Sequence, residues 1–509
     1  AHNPSPRILG VTFDSQVQFS PQAAEAARKL RQRSGVLKAL AARSWGAQTA
    51  VLRRVYTSFV RPAAMYAAAV WLPFTTPTYR ERLESANYAA ARTITGVSAA
   101  ARKSVVVRDA GLLPLEALAM TEAARLLVHC RRFPGSHPLA VLAASSPKRR
   151  LKSRTGGLRP CWRSEGEATL ARLGLDGLRA EDLLPYARLP APWARGGDIS
   201  FFEVLGTSRD DPPEVRGALA RECLDGVRTR FNPTLEAWSD GSAVAGVADG
   251  GGGFVIKRGD RSESGSVPAG TICSSTTAEA AALAAALERV EELGLEEDDR
   301  LLVAFDSKAL WHRLRRPDPS RLDGHAANAL RALTDLAAQV PVGVLWVPGH
   351  AGLALNEEAD GAARRGSSLP QPESRPSFSA VVERLRAGAE QLAAAAYDEA
   401  TPEGTLHRRL GGAPLSLPSR PDRRAEVAVF QLRARRAPFL GATQALWGRT
   451  DTKACQRCDS GEDDTSEHLI LRCSARAVRA ARRNHGVTGL EVLNDVEKCA
   501  AFLREAGFL

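Results

Sequence analysis

"VLWVPGHAGLALNEEAD", residues 344–360, changes character halfway along. Its opening is β-branched, aliphatic and aromatic, the composition of a buried strand. From Asn356 the charge pattern becomes that of the first turns of a helix. Pro348, Gly349 and Gly352 lie between, on either side of His350. A glycine-marked strand-to-helix connection that carries a histidine and delivers Asn356 and Asp360 into the next helix is a place to hold a ligand.

The preceding residues fit the same plan. "LEAWSDGS" ends a strand, "GGGFVIKRG" is a second, and "SGSVPAG" follows a turn as a third. "TTAEAAALAAALERVEELG" is a capped helix, with Thr276 or Thr277 as its N-cap and Gly294 as its stop. "RLLVAFDS" and "VGVLWV" are strands separated by two helical stretches. Three antiparallel strands followed by α/β alternation predict a mixed five-stranded sheet covered by helices over residues 233–366.

Four carboxylates stand at telling places: Asp240 and Asp306 at strand ends, Glu279 early in a helix, Asp360 in the last helix. Strand ends and adjacent helix turns of an α/β sheet converge on one edge. Carboxylates gathered there repel one another unless cations neutralise them, and hard oxygen ligands with water suit Mg²⁺. Two such ions about 4 Å apart can activate water and stabilise a leaving oxygen in phosphodiester hydrolysis. Singly, each acid has an ordinary explanation: a turn pair with Gly241, a helix-start acid, a cap beside Ser307, a solvated helix acid.

Together their settings, "WSDGS", "TTAEAAAL", "AFDSKAL" and "WVPGHAGLALNEEAD", resemble the four motifs of the ribonuclease H family. The resemblance implies metal ligands at Asp240, Glu279, Asp306 and Asp360, and a mobile histidine at His350 that assists proton handling or product departure. It implies two catalytic Mg²⁺, with Mn²⁺ as an alternative, and hydrolysis of the RNA strand of an RNA·DNA hybrid. Gly241, Ser242 and Glu279 would report the 2′-hydroxyl, since such duplexes are read by shape and backbone. Where the family has glycine before the Asn-Glu pair, this chain has Leu355.

Near the C-terminus, Cys455 and Cys458 are followed by His468 and Cys473. A Cys-x₂-Cys pair presents two thiolates from one turn, and the second pair closes a tetrahedron, the pattern of one structural Zn²⁺. The stretch from "AVFQLRARR" to "LILRC" is similar to the cysteine-histidine tail that follows ribonuclease H in some non-LTR retrotransposon polyproteins. Arg435 and Arg436 replace that tail's Gly-His; with Arg433 they are expected to contact phosphates. "RILGVTFDSQVQF", "VYTSFVRPAAMYAAAVW" and "LESANYAAARTITGV" look like the thumb and connection of a non-LTR reverse transcriptase. No tyrosine precedes a pair of aspartates, so polymerase activity would belong to an upstream part of the polyprotein.

Composition sets the bounds. The 509 residues carry a formal charge of +12, which suits a phosphate backbone as partner. Residues 1–60 hold nine Lys or Arg against two acids, and residues 401–450 nine Arg against three. No apolar run is long enough for a membrane span, and eight cysteines in 509 residues, three of them within 19 residues near the C-terminus, are no disulfide scaffold and argue for a reducing, intracellular setting, with the nucleus allowed. The expected organisation is a helical thumb/connection-like region over 1–135, a linker with helical pieces over 136–232, the sheet domain over 233–366, a helical connection over 367–404, and a basic zinc-binding region over 405–509. The competing reading is a non-catalytic nucleic-acid-binding remnant; four intact acids favour the enzyme.

Overall fold

"LLVAF" (301–305) and "VGVLW" (342–346) are apolar at nearly every position, without the alternation of a half-exposed strand. Such strands must be covered on both faces. In the computed structural model, which describes residues 5–145, 160–183, 199–208, 211–318, 322–417 and 422–509, both are buried at every position.

They form the centre of a six-stranded sheet made from β1 (Ile199–Glu203), β2 (Leu235–Val244), β3 (Ala248–Arg258), β4 (Arg261–Gly270), β5 (Leu301–Phe305) and β6 (Val342–Trp346). The spatial order is β1-β6-β5-β2-β3-β4. The β2–β3–β4 meander is antiparallel, and β2–β5, β5–β6 and β6–β1 are parallel. Helices α1 (Pro213–Phe231), α2 (Ser275–Leu293), α3 (Lys308–Arg315), α4 (Gly324–Ala337) and α5 (Ala354–Ser367) accompany it.

Four successive glycines in β3 explain how two helices come so close. A Cβ on Gly251 would lie 2.0 Å from the Ser367 nitrogen, and one on Gly253 2.2 Å from the Ala359 carbonyl, both on α5. A Cβ on Gly252 would lie 2.8 Å from the α2 backbone at Ala282. Because strand residues alternate faces, the glycine run seats α5 on one side and α2 on the other.

Two expectations need correction. The sheet has six strands, not five: β1 comes from the stretch read as a linker and pairs with β6 from Ile199↔Val342 to Glu203↔Trp346. Helix α1 then returns along the sheet, burying Ala220, Leu224 and Val227, and its Arg228 forms a two-pronged ion pair with Glu236 of β2 at 2.7 and 2.8 Å. Asn232 ends α1 in the left-handed conformation, directly before Pro233. The N-cap of α2 is Ser274 rather than Thr276 or Thr277; its hydroxyl accepts from the Thr277 amide, and Gly294 ends the helix.

The chain divides into two compact units. One holds 125–148 and 170–387, with the sheet; the other holds 1–124, 149–169 and 388–509. In the second, the N-terminal and C-terminal regions, read from sequence as separate domains, share a core. Leu30, Leu52, Trp71 and Ile94 belong to the same cluster as Phe430, Leu432, Leu469 and Leu503. Alanine-rich helices bury little area each, so neither region could bury its apolar stripe alone. Buried polar groups tie the two: the Glu426 carboxylate accepts from the Thr49 amide and hydroxyl at 3.0 and 2.8 Å. Asp109 also meets both His407 and Arg433. Among the described residues no helix is long and apolar enough to cross a membrane.

Candidate active site and metal centres

β2 and β5 run parallel, with Ser239 paired to Phe305, so the next residues, Asp240 and Asp306, emerge side by side at one sheet edge. Glu279, in the second turn of α2, completes the group because Gly241 lets the helix approach. A Cβ there would lie 2.2 Å from the Glu279 nitrogen. Carboxylate oxygens of Asp240, Glu279 and Asp306 lie within 4.8 Å of one another.

Asp240 and Glu279 are buried and Asp306 half-buried. Burial, then the neighbouring Asp306 charge, pushes the Asp240 carboxyl up to about 7. Burial followed by Asp306 and Asp240 raises Glu279 well above the carboxylate range. Asp306 is raised chiefly by burial, while the charge of His350 and a hydrogen bond from Asn356 act against this. One Asp240 oxygen accepts the Gly241 amide at 2.7 Å, but Oε2 of Glu279 is buried with no partner. A hard divalent cation fits this donor set: it would give the orphaned oxygen a ligand and cancel the repulsion.

His350 sits in the β6–α5 loop in the left-handed conformation (φ 53°), exposed. Gly349 beside it lies against Asp306, where a Cβ would come 2.6 Å from Oδ2. The fourth acid falls differently from expectation. Asp360 groups with His350 and Glu357, their ligand atoms within 4.8 Å of one another, rather than with the tight triad. Its carboxylate pairs with Arg364 of the same helix at 2.5 Å. Its charge still raises both Asp240 and Asp306, so the two groups share one electrostatic site.

Residues outside the expected set support this loop. Arg216 of α1 donates to the Gly349 carbonyl at 3.3 Å, and Gly217 packs so close to the Ala351 carbonyl that a Cβ would lie 2.7 Å from it. Trp346 donates to the Asp306 carbonyl at 2.8 Å. Asn356 was already marked in the sequence as the polar start of α5, and Glu357 beside it could have been found the same way; Arg216 carried no such signal. The Gly241 amide donates to Asp240, and Ser242 is half-buried beside it.

In the other unit, Cys455, Cys458, His468 and Cys473 bring their ligand atoms within 4.8 Å of one another. The Cys455 and Cys473 sulfurs are 4.0 Å apart, and the Cys458 sulfur is 3.4 Å from Nε2 of His468. Ligands about 2.0–2.3 Å from a tetrahedral ion stand at such separations, so the cluster fits zinc. Nδ1 of His468 meets Glu462 at 3.1 Å, the outer partner expected of a metal-bound imidazole. A hydrogen bond from Ser460, the largest influence, draws the Cys458 thiol down to about 5.

The expected phosphate contact by Arg433 is overturned. The side chain is 1% exposed and lies against Asp109, because a buried carboxylate needs a buried cation. Arg435 is paired with Glu467, and Arg436 donates to the Ala100 carbonyl at 3.0 Å.

A mixed sheet covered by helices, with acids meeting at the strand ends, is a ribonuclease H-like fold. The family model for RNase H matches residues 232–368. Among solved structures, RNase H1 from the halophilic archaeon Halobacterium salinarum is 23% identical, with a TM-score of 0.22, covering 26% of this chain and 97% of that one. The N-terminal RNase H domain of a Mycobacterium tuberculosis protein, fused to maltose-binding protein, is 20% identical, with a TM-score of 0.22 and coverage of 26% and 98%. A search of curated proteins finds no match.

Proposed function

We propose that this chain is a divalent-metal-dependent endoribonuclease that cuts the RNA strand of RNA·DNA hybrids. The observation that carries the reading is the triad of Asp240, Glu279 and Asp306 on an RNase H-like sheet, with a Glu279 oxygen buried and unpartnered. Asp240, Glu279 and Asp306 would hold Mg²⁺, with Asp360 adjoining. Bound there, the ions would supply charge neutralisation and an activated water. The residues themselves do the rest. The Gly241 amide fixes one Asp240 oxygen. Asn356 orients Asp306. His350, exposed beside Glu357 and Asp360, can take or give a proton at its imidazole.

Zinc held by Cys455, Cys458, His468 and Cys473 would have four protein ligands and no open position, so its role would be structural. On the resemblances given above, the chain corresponds to the C-terminal part of a retroelement polyprotein, and a role in polymerisation would require a palm supplied by another segment. The test is cleavage of an end-labelled RNA·DNA hybrid with Mg²⁺. Cutting of the RNA strand by the wild type and none by Asp240→Asn supports the proposal; hybrid left intact by the wild type refutes it.

A further inference from the structure

With Arg433 buried, the C-terminal region needs a different surface if it is to meet a polyanion. The helix Arg476–Asn484 begins three residues after the last cluster ligand, Cys473, and has no acid in its sequence "RAVRAARRN". Val478 and Ala481 are buried and fix which side faces inward. Arg476, Arg479 and Arg483, at positions i, i+3 and i+7, fall together on the opposite side and are exposed. Among the described residues they make no ion pair, unlike Arg435, Arg457 and Arg472, each of which is matched to a carboxylate.

Arg482 points elsewhere: it donates to the Leu471 carbonyl at 2.9 Å and also to the carbonyl of Cys473. The helix is thereby fastened to the metal-binding loop by a side chain that the outer arginines do not share.

We infer that Arg476, Arg479 and Arg483 form a docking stripe for a nucleic-acid backbone, held in place by the Cys₃His cluster. Seven residues of helix rise roughly 10 Å, the axial length of about three phosphates of one strand. Guanidinium groups engage phosphate oxygens in pairs. A lipid surface is the poorer occupant, because an interfacial helix inserts an apolar face, and here that face is buried in the protein. The inference rests on the nucleic-acid reading above for its choice of polyanion, but not on catalysis.

The test uses the full zinc-loaded chain without Mg²⁺ and reads anisotropy of a labelled RNA·DNA hybrid and of single-stranded RNA across a salt series. The triple variant Arg476→Gln, Arg479→Gln, Arg483→Gln should bind roughly 100-fold more weakly near 0.15 M salt. Its slope of log K against log salt should be shallower by about two to three. A charge-matched variant in the N-terminal helices, Arg31→Gln, Arg33→Gln, Lys38→Gln, should lose less than about fivefold. An unchanged slope in the stripe variant overturns the inference, as does an equal loss in the N-terminal variant. Stripe-dependent binding to phosphatidylserine vesicles as tight as to RNA also overturns it, in favour of a membrane. A wild type that binds hybrid through the stripe but never cuts it leaves the stripe standing and removes the nuclease proposal.

Discussion

Replacing Asp240 by asparagine should stabilise the magnesium-free protein, with a gain that grows as pH rises. Burial first and Asp306 second lift the Asp240 carboxyl from 3.8 to about 7. At about 1.4 kcal/mol per unit, a shift of about three units makes ionisation roughly 4 kcal/mol costlier in the folded state than in the unfolded chain. Below the unfolded value both states hold the proton and stability is unaffected. Between 3.8 and about 7 the unfolded chain releases its proton while the folded one keeps it, so stability falls with rising pH. Above that window the full penalty applies.

Asparagine has nearly the same shape, carries no charge and keeps an oxygen for the Gly241 amide. The variant should therefore gain up to about 4 kcal/mol at pH 8 and less than half of that at pH 5. The figure is a ceiling, since Glu279 and Asp306 share the field and protonating one relieves the others. Hydrogen exchange of the buried amides of Leu301–Phe305 measures it within the sheet unit. Equal protection in the two proteins at pH 8, or the same gain at both pH values, would refute the reasoning. Mg²⁺ should add protection to the wild type and not to the variant.

Asp306→Asn should abolish hybrid cleavage, while His350→Ala should slow it by about 100-fold and leave measurable turnover; equal losses would mean that His350 has been given too small a role. Arg216→Ala should speed exchange of the 347–353 amides and slow turnover, with no further loss when added to His350→Ala, and additive losses would uncouple α1 from the histidine loop. Purified protein should contain about one zinc per chain. Cys458→Ser should lose it and open the C-terminal region to protease while the sheet amides stay protected, and a zinc-free tail that resists protease under reducing conditions would rule the site out.

Much of the sheet unit was legible because its signals are local. Leu301–Phe305 and Val342–Trp346 declare central strands by being apolar along their length. Asp240, Glu279 and Asp306 each lie where a strand end or helix start could be read. What was missed depends on partners distant in the chain. β1 is five residues long, and nothing nearby announces that β6 lacks a neighbour on that side. Three hydroxyl residues follow Ser274, so the cap position was ambiguous by two or three residues. Arg433 looked like a surface cation because Asp109, which buries it, is 324 positions away. Asp360 is drawn towards Arg364, four residues on, a pairing that helical spacing allows but does not require.

The shared core of the helical unit has a consequence for how the protein is made. The sheet unit occupies most of the sequence between two halves that need each other, as an insertion would. During synthesis the N-terminal helices leave the ribosome with their apolar stripes uncovered. They must wait for Phe430, Leu469 and Leu503 before their core closes. The sheet unit, complete by residue 387, can fold during that interval. A ribosome stalled after the sheet would hold a folded sheet unit tethered to an unfinished partner, greasy and prone to aggregate. Chaperone demand should therefore peak late, and be set by the length of the insertion rather than by any weakness of the helices themselves.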